Sequence, residues 1–168
     1  MPRIYLAGPD VFRPDAAEHF LVLTRACEAL GLEALIPSDD GAAAAGLRGE
    51  ALARAIYATN MGLLTEAHGV IANLAPFRGT EPDSGTVFEV GVAVALGLPV
   101  AVYGLPPGAY ADRVEGRHDA AGVLRDGEGM AVEDFGLPLN LMLSSSVQIA
   151  ESADAALKLI ARTLERRA

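Results

Sequence analysis

Apolar and polar positions along this chain follow two periods, and the period changes at turn residues. Short apolar runs at Arg3-Ile-Tyr-Leu-Ala7, Glu33-Ala-Leu-Ile36, His68-Gly-Val-Ile-Ala-Asn-Leu74 and Pro99-Val-Ala-Val-Tyr103 predict four strands, and Val147-Gln-Ile149 a fifth. Between them lie stretches of helical period. Pro14-Asp15 opens one that keeps Ala17, Phe20, Leu21, Leu23, Ala26, Cys27 and Leu30 at helical spacing before Gly31. A second runs from Leu47 to Glu66, and a last one is capped by Ser152 and continues to about Arg166. Strands alternating with helices predict an α/β fold, a parallel sheet covered on both faces with right-handed crossovers. No repeat or linker divides the chain, so a single domain over residues 1–168 is expected.

The third helix departs from the amphipathic pattern. After Glu81-Pro-Asp-Ser-Gly-Thr86 the chain is apolar through Gly97, interrupted by Glu89 alone. A helix apolar all round belongs in an interior, where a lone carboxylate costs several kcal/mol unless it is paired. Ser84 or Asp83 is the natural N-cap, and Glu89 then leans back towards the loop that carries Asp83. Two carboxylates converging at a helix N-terminus suit chemistry at a sugar carbon, one as nucleophile and one as acid/base. The structural alternative is a partly buried Glu satisfied by a neighbouring Tyr or Arg. In this fold class ligands bind beyond the carboxyl ends of the strands. The loops Gly8–Arg13, Pro37–Gly46 and Ala75–Asp83 would surround the mouth of the Glu89 helix. The long stretch Gly104–Asp134, rich in Gly, Pro and charge, reads as irregular.

Composition narrows the function classes. Hydrophobic residues are 51% and charged ones 21%, which fits a packed globular chain. The formal charge is -9, and of 13 basic residues only Lys158 is a lysine. With no cationic cluster beyond Arg166-Arg167, a nucleic-acid partner is not expected. No apolar run reaches eighteen residues and no leader pattern opens the chain, so a membrane partner is not expected and a cytoplasmic protein is. Cys27 is read as a packed thiol in a reducing compartment. No His/Cys spacing suits a metal, no Gly-rich phosphate motif is present, and no cofactor is expected.

Four blocks in order, Ile4-Tyr-Leu-Ala-Gly-Pro9, Pro76-Phe-Arg-Gly79, Glu81-Pro-Asp-Ser-Gly-Thr-Val-Phe-Glu-Val-Gly91 and Gly136-Leu-Pro-Leu-Asn-Leu-Met142, resemble the nucleoside 2-deoxyribosyltransferase family. The resemblance implies a flavodoxin-like, doubly wound sheet of five parallel strands and a homodimer or larger homo-oligomer. It also implies transfer of a 2-deoxyribosyl group between nucleobases, with retention, through a sugar–enzyme ester. On this reading the partners are 2-deoxynucleosides and free nucleobases. Glu89 matches the nucleophile, Tyr5 the tyrosine that holds it, and Asp83 the proton-transfer candidate. Gly8 belongs to the first substrate loop, and Asn140 and Met142 match residues lent to a neighbouring subunit. Asn60 stands where some members carry an Asp near the base; an amide there orients the base without protonating it.

Other residues near these loops carry two readings each. Phe12 and Phe77 either sandwich a flat base or anchor their loops. Arg78 either holds the Asp83 loop or touches the base, and Asp10 either bonds a base edge or caps the next helix. Leu137, Leu139, Leu141 and Leu143 suggest an apolar patch covered by a partner subunit. Two rival functions remain: an N-glycosidase acting on 2-deoxynucleosides or their 5-monophosphates, with Ser144–Ser146 as phosphate ligands, and a non-catalytic nucleotide-binding module.

Overall fold

Strands buried on both faces need helices on both faces, and the sequence supplies two pairs. The computed structural model describes residues 1–38, 41–43 and 45–167. In chain order the elements are β1 (Arg3–Ala7), α1 (Ala16–Ala29), β2 (Glu33–Leu35), α2 (Gly49–Glu66), β3 (Gly69–Asn73), α3 (Ser84–Ala95) and β4 (Val100–Tyr103). Then follow β5 (Gly116–His118), β6 (Leu124–Asp126), α4 (Leu141–Ser146), β7 (Gln148–Ile149) and α5 (Ala153–Glu165). The main sheet has the order β2-β1-β3-β4-β7, and every neighbouring pair in it is parallel. This is the flavodoxin-like strand order, as the sequence led us to expect.

Strand alternation sorts the core into two layers. Ile4, Leu6, Ile71, Ala101 and Tyr103 pack with Phe20, Leu23 and Cys27 of α1 and Ala156, Leu157 and Ile160 of α5. Tyr5, Ala7, Val70, Ala72, Val100 and Val102 turn to the other face, against Leu64 of α2, Val90 and Ala93 of α3 and Leu143 of α4. The period of two along β1 therefore decides that Tyr5 faces α3 and not α1. Burial pushes the Cys27 thiol up to about 11, which suits a packed, unreactive side chain.

Two expectations need correction. The stretch Gly104–Asp134 is not wholly irregular: β5 and β6 pair antiparallel, and Arg125 bridges to Ala131. Two Asp-x-x-Gly turns make this possible. Asp119 accepts backbone N–H bonds from Ala121 and Val123, and Asp126 from Glu128 and Met130. Short turn motifs gave no apolar period for a sequence reading to detect. The four leucines of residues 137–143 do not form one exposed patch either, because Leu139 and Leu143 are buried in the chain's own core. Gly91 on α3 faces outward, with nothing within 4 Å of a Cβ placed there. The Pro37–Gly46 loop includes Asp39, Asp40 and Ala44, which lie outside the described residues.

Candidate active site

The carboxyl ends of β1 and β2, together with α2 and the start of α3, frame a cleft of about 390 Å³. Its walls are Gly8, Val11, Phe12, Pro37, Ser38 and Ile56, with Asn60, Asp83, Gly85, Thr86 and Glu89 supplying most of the polar groups. Glu89 sits on α3 beside the sheet-facing stripe Thr86, Val90 and Ala93. Tyr5, fully buried, donates its hydroxyl to Glu89 Oε1 at 2.7 Å. Burial and the neighbouring Glu89 charge push the Tyr5 phenol far above its usual range, so it remains protonated and keeps donating. Burial raises Glu89 above the ordinary carboxylate range; the Tyr5 hydrogen bond pulls it back down, and the Asp83 charge adds to the rise.

Asp83 caps α3. Its Oδ2 accepts from Thr86 N at 2.8 Å and from Thr86 Oγ1 at 2.9 Å, which leaves Oδ1 for the cleft. Such a cap contributes about 1 kcal/mol and fixes the carboxylate where the helix starts. One side chain thus sets the helix end and places a second carboxyl beside Glu89. Gly8 is required by close approach: a Cβ there would lie 2.6 Å from Asp10 Oδ2 and 3.0 Å from Asn73 Cβ.

The other expected residues divide into two groups. Asn60 lines the cleft, and its Oδ1 accepts from Ser38 N at 3.3 Å. Phe12 also lines it, but Phe77 does not. Their rings stack on each other with centroids 5.5 Å apart and 18° between planes. A base inserted between them needs roughly twice the 3.5–4.0 Å contact distance, so this pair is no sandwich for a base. Arg78 lies over Phe77 at 4.6 Å and over Phe12 at 5.5 Å, and it adopts a φ of 56°, a costly backbone state for a non-glycine residue. It clamps the two loops through the aromatic pair and does not hold Asp83 directly.

Asp10 neither lines the cleft nor caps α1. It is buried, accepts from Asn73 Nδ2 with both oxygens at 3.1 and 2.9 Å, and lies 3.3 Å from His19 Nε2. Asn73 Oδ1 in turn accepts from Ala75 N, so this amide ties the first loop to the third. Asn140 and Met142 lie outside the cleft. Asn140 caps α4 by accepting from Leu143 N at 3.1 Å, and Met142 is 73% exposed. Ser144 and Ser146 spend their hydroxyls on the carbonyls of Leu139 and Leu143. No Arg, Lys or His is among the described residues that line the cleft.

Sequence reading placed the loops carrying Val11, Pro37 and Ser38 around the site without singling out these residues, and it missed Ile56, Gly85 and Thr86 in the lining. Thr86 had a signal, the Asp-x-x-Thr spacing of a helix start. Asn73 had one too, as the polar residue closing an apolar strand. Tyr110 had none. It donates to Glu81 Oε1 at 2.5 Å from inside the stretch read as irregular, and this bond is the main reason its phenol is pushed up to about 12.

A wider hollow of about 740 Å³ lies against the β5–β6 hairpin, lined by Arg117, His118 and Arg125 among others. Its Arg125 is paired with Asp119 at 2.7 Å, and its Asp119 and Asp126 carboxylates serve the hairpin turns. Among the described residues no group of His, Cys, Asp and Glu gathers to hold a metal, and no helix is long and apolar enough to cross a membrane.

Comparison with known proteins agrees with this geometry. The sequence profile described as "Nucleoside 2-deoxyribosyltransferase" matches residues 4–142. The solved 2-desoxiribosyltransferase from Leishmania mexicana is 31% identical and superposes with a TM-score of 0.77, covering 96% of this chain and 98% of that one. A 2-deoxyribosyltransferase from Bacillus psychrosaccharolyticus shares the fold at 17% identity and a TM-score of 0.58, over 90% of this chain and 88% of its own. Among curated sequences, an uncharacterized protein of Schizosaccharomyces pombe is 27% identical over 89% of this chain and 78% of its own length.

Proposed function

Given that the chain belongs to the nucleoside 2-deoxyribosyltransferase family, we propose that it transfers a 2-deoxyribosyl group from one nucleobase to another by double displacement at Glu89. The observation that carries this reading is the Tyr5–Glu89 hydrogen bond of 2.7 Å at the floor of the cleft, with Asp83 beside it. A nucleophile needs an ionised, fixed carboxylate, and a buried donor that cannot itself ionise supplies both conditions. Glu89 attacks the anomeric carbon, the bond to the base breaks, and an ester forms. The Asp83 oxygen not used by Thr86 gives the departing base nitrogen its proton. A second base then attacks the ester from the vacated side, returns its proton to Asp83 and restores the configuration.

No basic residue among the described lining residues favours a phosphate. A dianion needs cations or free hydroxyls, and the described lining offers no basic residue while Ser144 and Ser146 are bonded to backbone. We therefore place free 2-deoxynucleosides and free bases ahead of 5-monophosphates. Incubation with one 2-deoxynucleoside and a second free base, followed by chromatography, tests the reading. A new deoxynucleoside is expected. Free base and deoxyribose alone would mean a hydrolase, and unchanged substrate would overturn the proposal.

We also propose that the site is completed by a second copy. Phe135, Leu141 and Met142 are exposed around Asn140, whose amide nitrogen is left free when its oxygen caps α4. Mixing Glu89→Ala with Asn140→Ala subunits and allowing exchange should restore about a quarter of the sites if pairing is random and sites are shared. A mixture that exchanges yet stays inactive would place Asn140 within its own chain.

A further inference from the structure

Val11, Phe12, Pro37 and Ile56 give the cleft apolar walls of the kind that suit a flat ring, and Asn60 of α2 lines the same cleft. An unconstrained Asn reads either kind of base edge. It can donate to a carbonyl or ring nitrogen, and with both ends it pairs with the amino and ring-nitrogen edge of a 6-aminopurine. Asn60 is constrained. Ser38 N–H can only donate, so at 3.3 Å it fixes the amide oxygen towards the Pro37-Ser38 loop. The amide nitrogen has no partner among the described residues and is the end left for a ligand. A group that only donates meets a carbonyl well and an exocyclic amine badly, since two donors then face each other in a partly desolvated cleft.

We propose that Asn60, oriented by the Ser38 amide, makes this cleft select bases that present a carbonyl, such as hypoxanthine, over those that present an amino group at the same place, such as adenine. This rests on the transferase reading and names its preferred substrate class. It follows from this chain's own amide at position 60. An Asp there would accept from both Ser38 N–H and an exocyclic amine, which inverts the preference.

The test compares deoxyinosine with deoxyadenosine as donors to one common acceptor base, alongside calorimetric binding of free hypoxanthine and free adenine. Because the two bases differ as leaving groups, the deciding number is the change in the deoxyinosine-to-deoxyadenosine ratio of kcat/KM between wild type and variants. That ratio should fall roughly ten- to a hundredfold in Asn60→Asp, and in Asn60→Leu it should settle between the two. Hypoxanthine should bind wild type at least about tenfold more tightly than adenine. Transfer with equal binding of the two bases, and a ratio unmoved by either variant, would overturn the inference and leave the transferase reading intact. Preferential hypoxanthine binding without transfer would uphold the inference and sink the transferase reading. Binding of neither base would overturn the inference.

Discussion

The two faces of the sheet are built from the same strands yet have different exteriors. Under α1 and α5 the core is closed by amphipathic helices: Phe20, Leu23 and Cys27 point inward from α1, Leu157 and Ile160 from α5. The outside of α5 carries Asp154 and Lys158, paired at 2.6 Å, as well as Arg162 and Glu165. Along α5 this face is finished against water, while α1 leaves Leu21 and Val22 exposed. The face that carries the site exposes aromatic rings. On α2 and α3 the exposed positions include Tyr57, Ala58, Phe88, Gly91, Ala95 and Leu96, and Tyr57 and Phe88 touch with ring centroids 6.3 Å apart. The same asymmetry runs inward. Cys27, Leu157 and Ile160 belong to an apolar cluster, whereas the layer under α3 contains the Tyr5 hydroxyl bonded to the Glu89 carboxylate. Both faces hold a carboxylate, but Asp10 beside α1 is spent on Asn73 and His19, whereas Glu89 on α3 opens into the cleft, and we propose catalysis and assembly for that face.

Perturbing the two faces separately should break the comparison if it is wrong. The largest effect is expected at Glu89. Glu89→Ala should reduce transfer by about a thousandfold or more while the protein stays folded, because Ala is the best helix former and Glu89 is not among the buried core residues of α3. Near-normal turnover would end the nucleophile assignment. Next comes Asp83→Asn, which keeps the cap to Thr86 but removes the labile proton. Donors with poor leaving bases should slow by about a hundredfold, and donors whose base leaves unprotonated hardly at all. Equal losses on both would shift Asp83 to a role on the sugar hydroxyls.

Tyr5→Phe comes third, with a loss of roughly ten- to a hundredfold in kcat. It also has a signature in pH. Glu89 must be ionised to attack, so kcat/KM falls as pH drops through its pKa, which burial already holds above the ordinary range. The Tyr5 hydrogen bond is the influence that lowers it; removing that bond raises the pKa and moves the acid limb to higher pH. An acid limb that stays in place would show that the hydroxyl does not govern ionisation. The smallest effect is on assembly. Phe88→Asp, at a position 52% exposed on α3, should weaken self-association on the order of tenfold in sedimentation. Val22→Asp, 59% exposed on α1, should leave it unchanged. Equal behaviour of the pair would remove the distinction between the faces.

The face under α1 and α5 was the more legible one in the sequence. Period-two strands and helical stripes are local signals, and the five parallel strands and their helices appear within a residue or two of where the pattern placed them. The carboxylate in an apolar helix was legible for the same reason, as a violation of that pattern. What was not legible depends on contacts between distant residues. Phe12 stacks on Phe77 and leaves no room for a base, Asp10 bonds to Asn73 across 63 positions, and Leu139 and Leu143 turn into the core. Each side chain had a sensible local reading, and the partner that decided between readings lay elsewhere in the chain. The hairpin at β5 and β6 was hidden by composition, since Asp-x-x-Gly turns and three-residue strands lack the apolar period that marks a core strand.

Trapping the intermediate tests the central claim most directly. Wild-type protein incubated with a slow, fluorinated 2-deoxynucleoside and then digested for mass spectrometry should yield one peptide heavier by the sugar residue. Fragmentation should place that mass on Glu89, and addition of a free base should release it as a new nucleoside. An adduct on Asp83 or on any other residue, or turnover of the substrate with no ester at Glu89, would contradict the account.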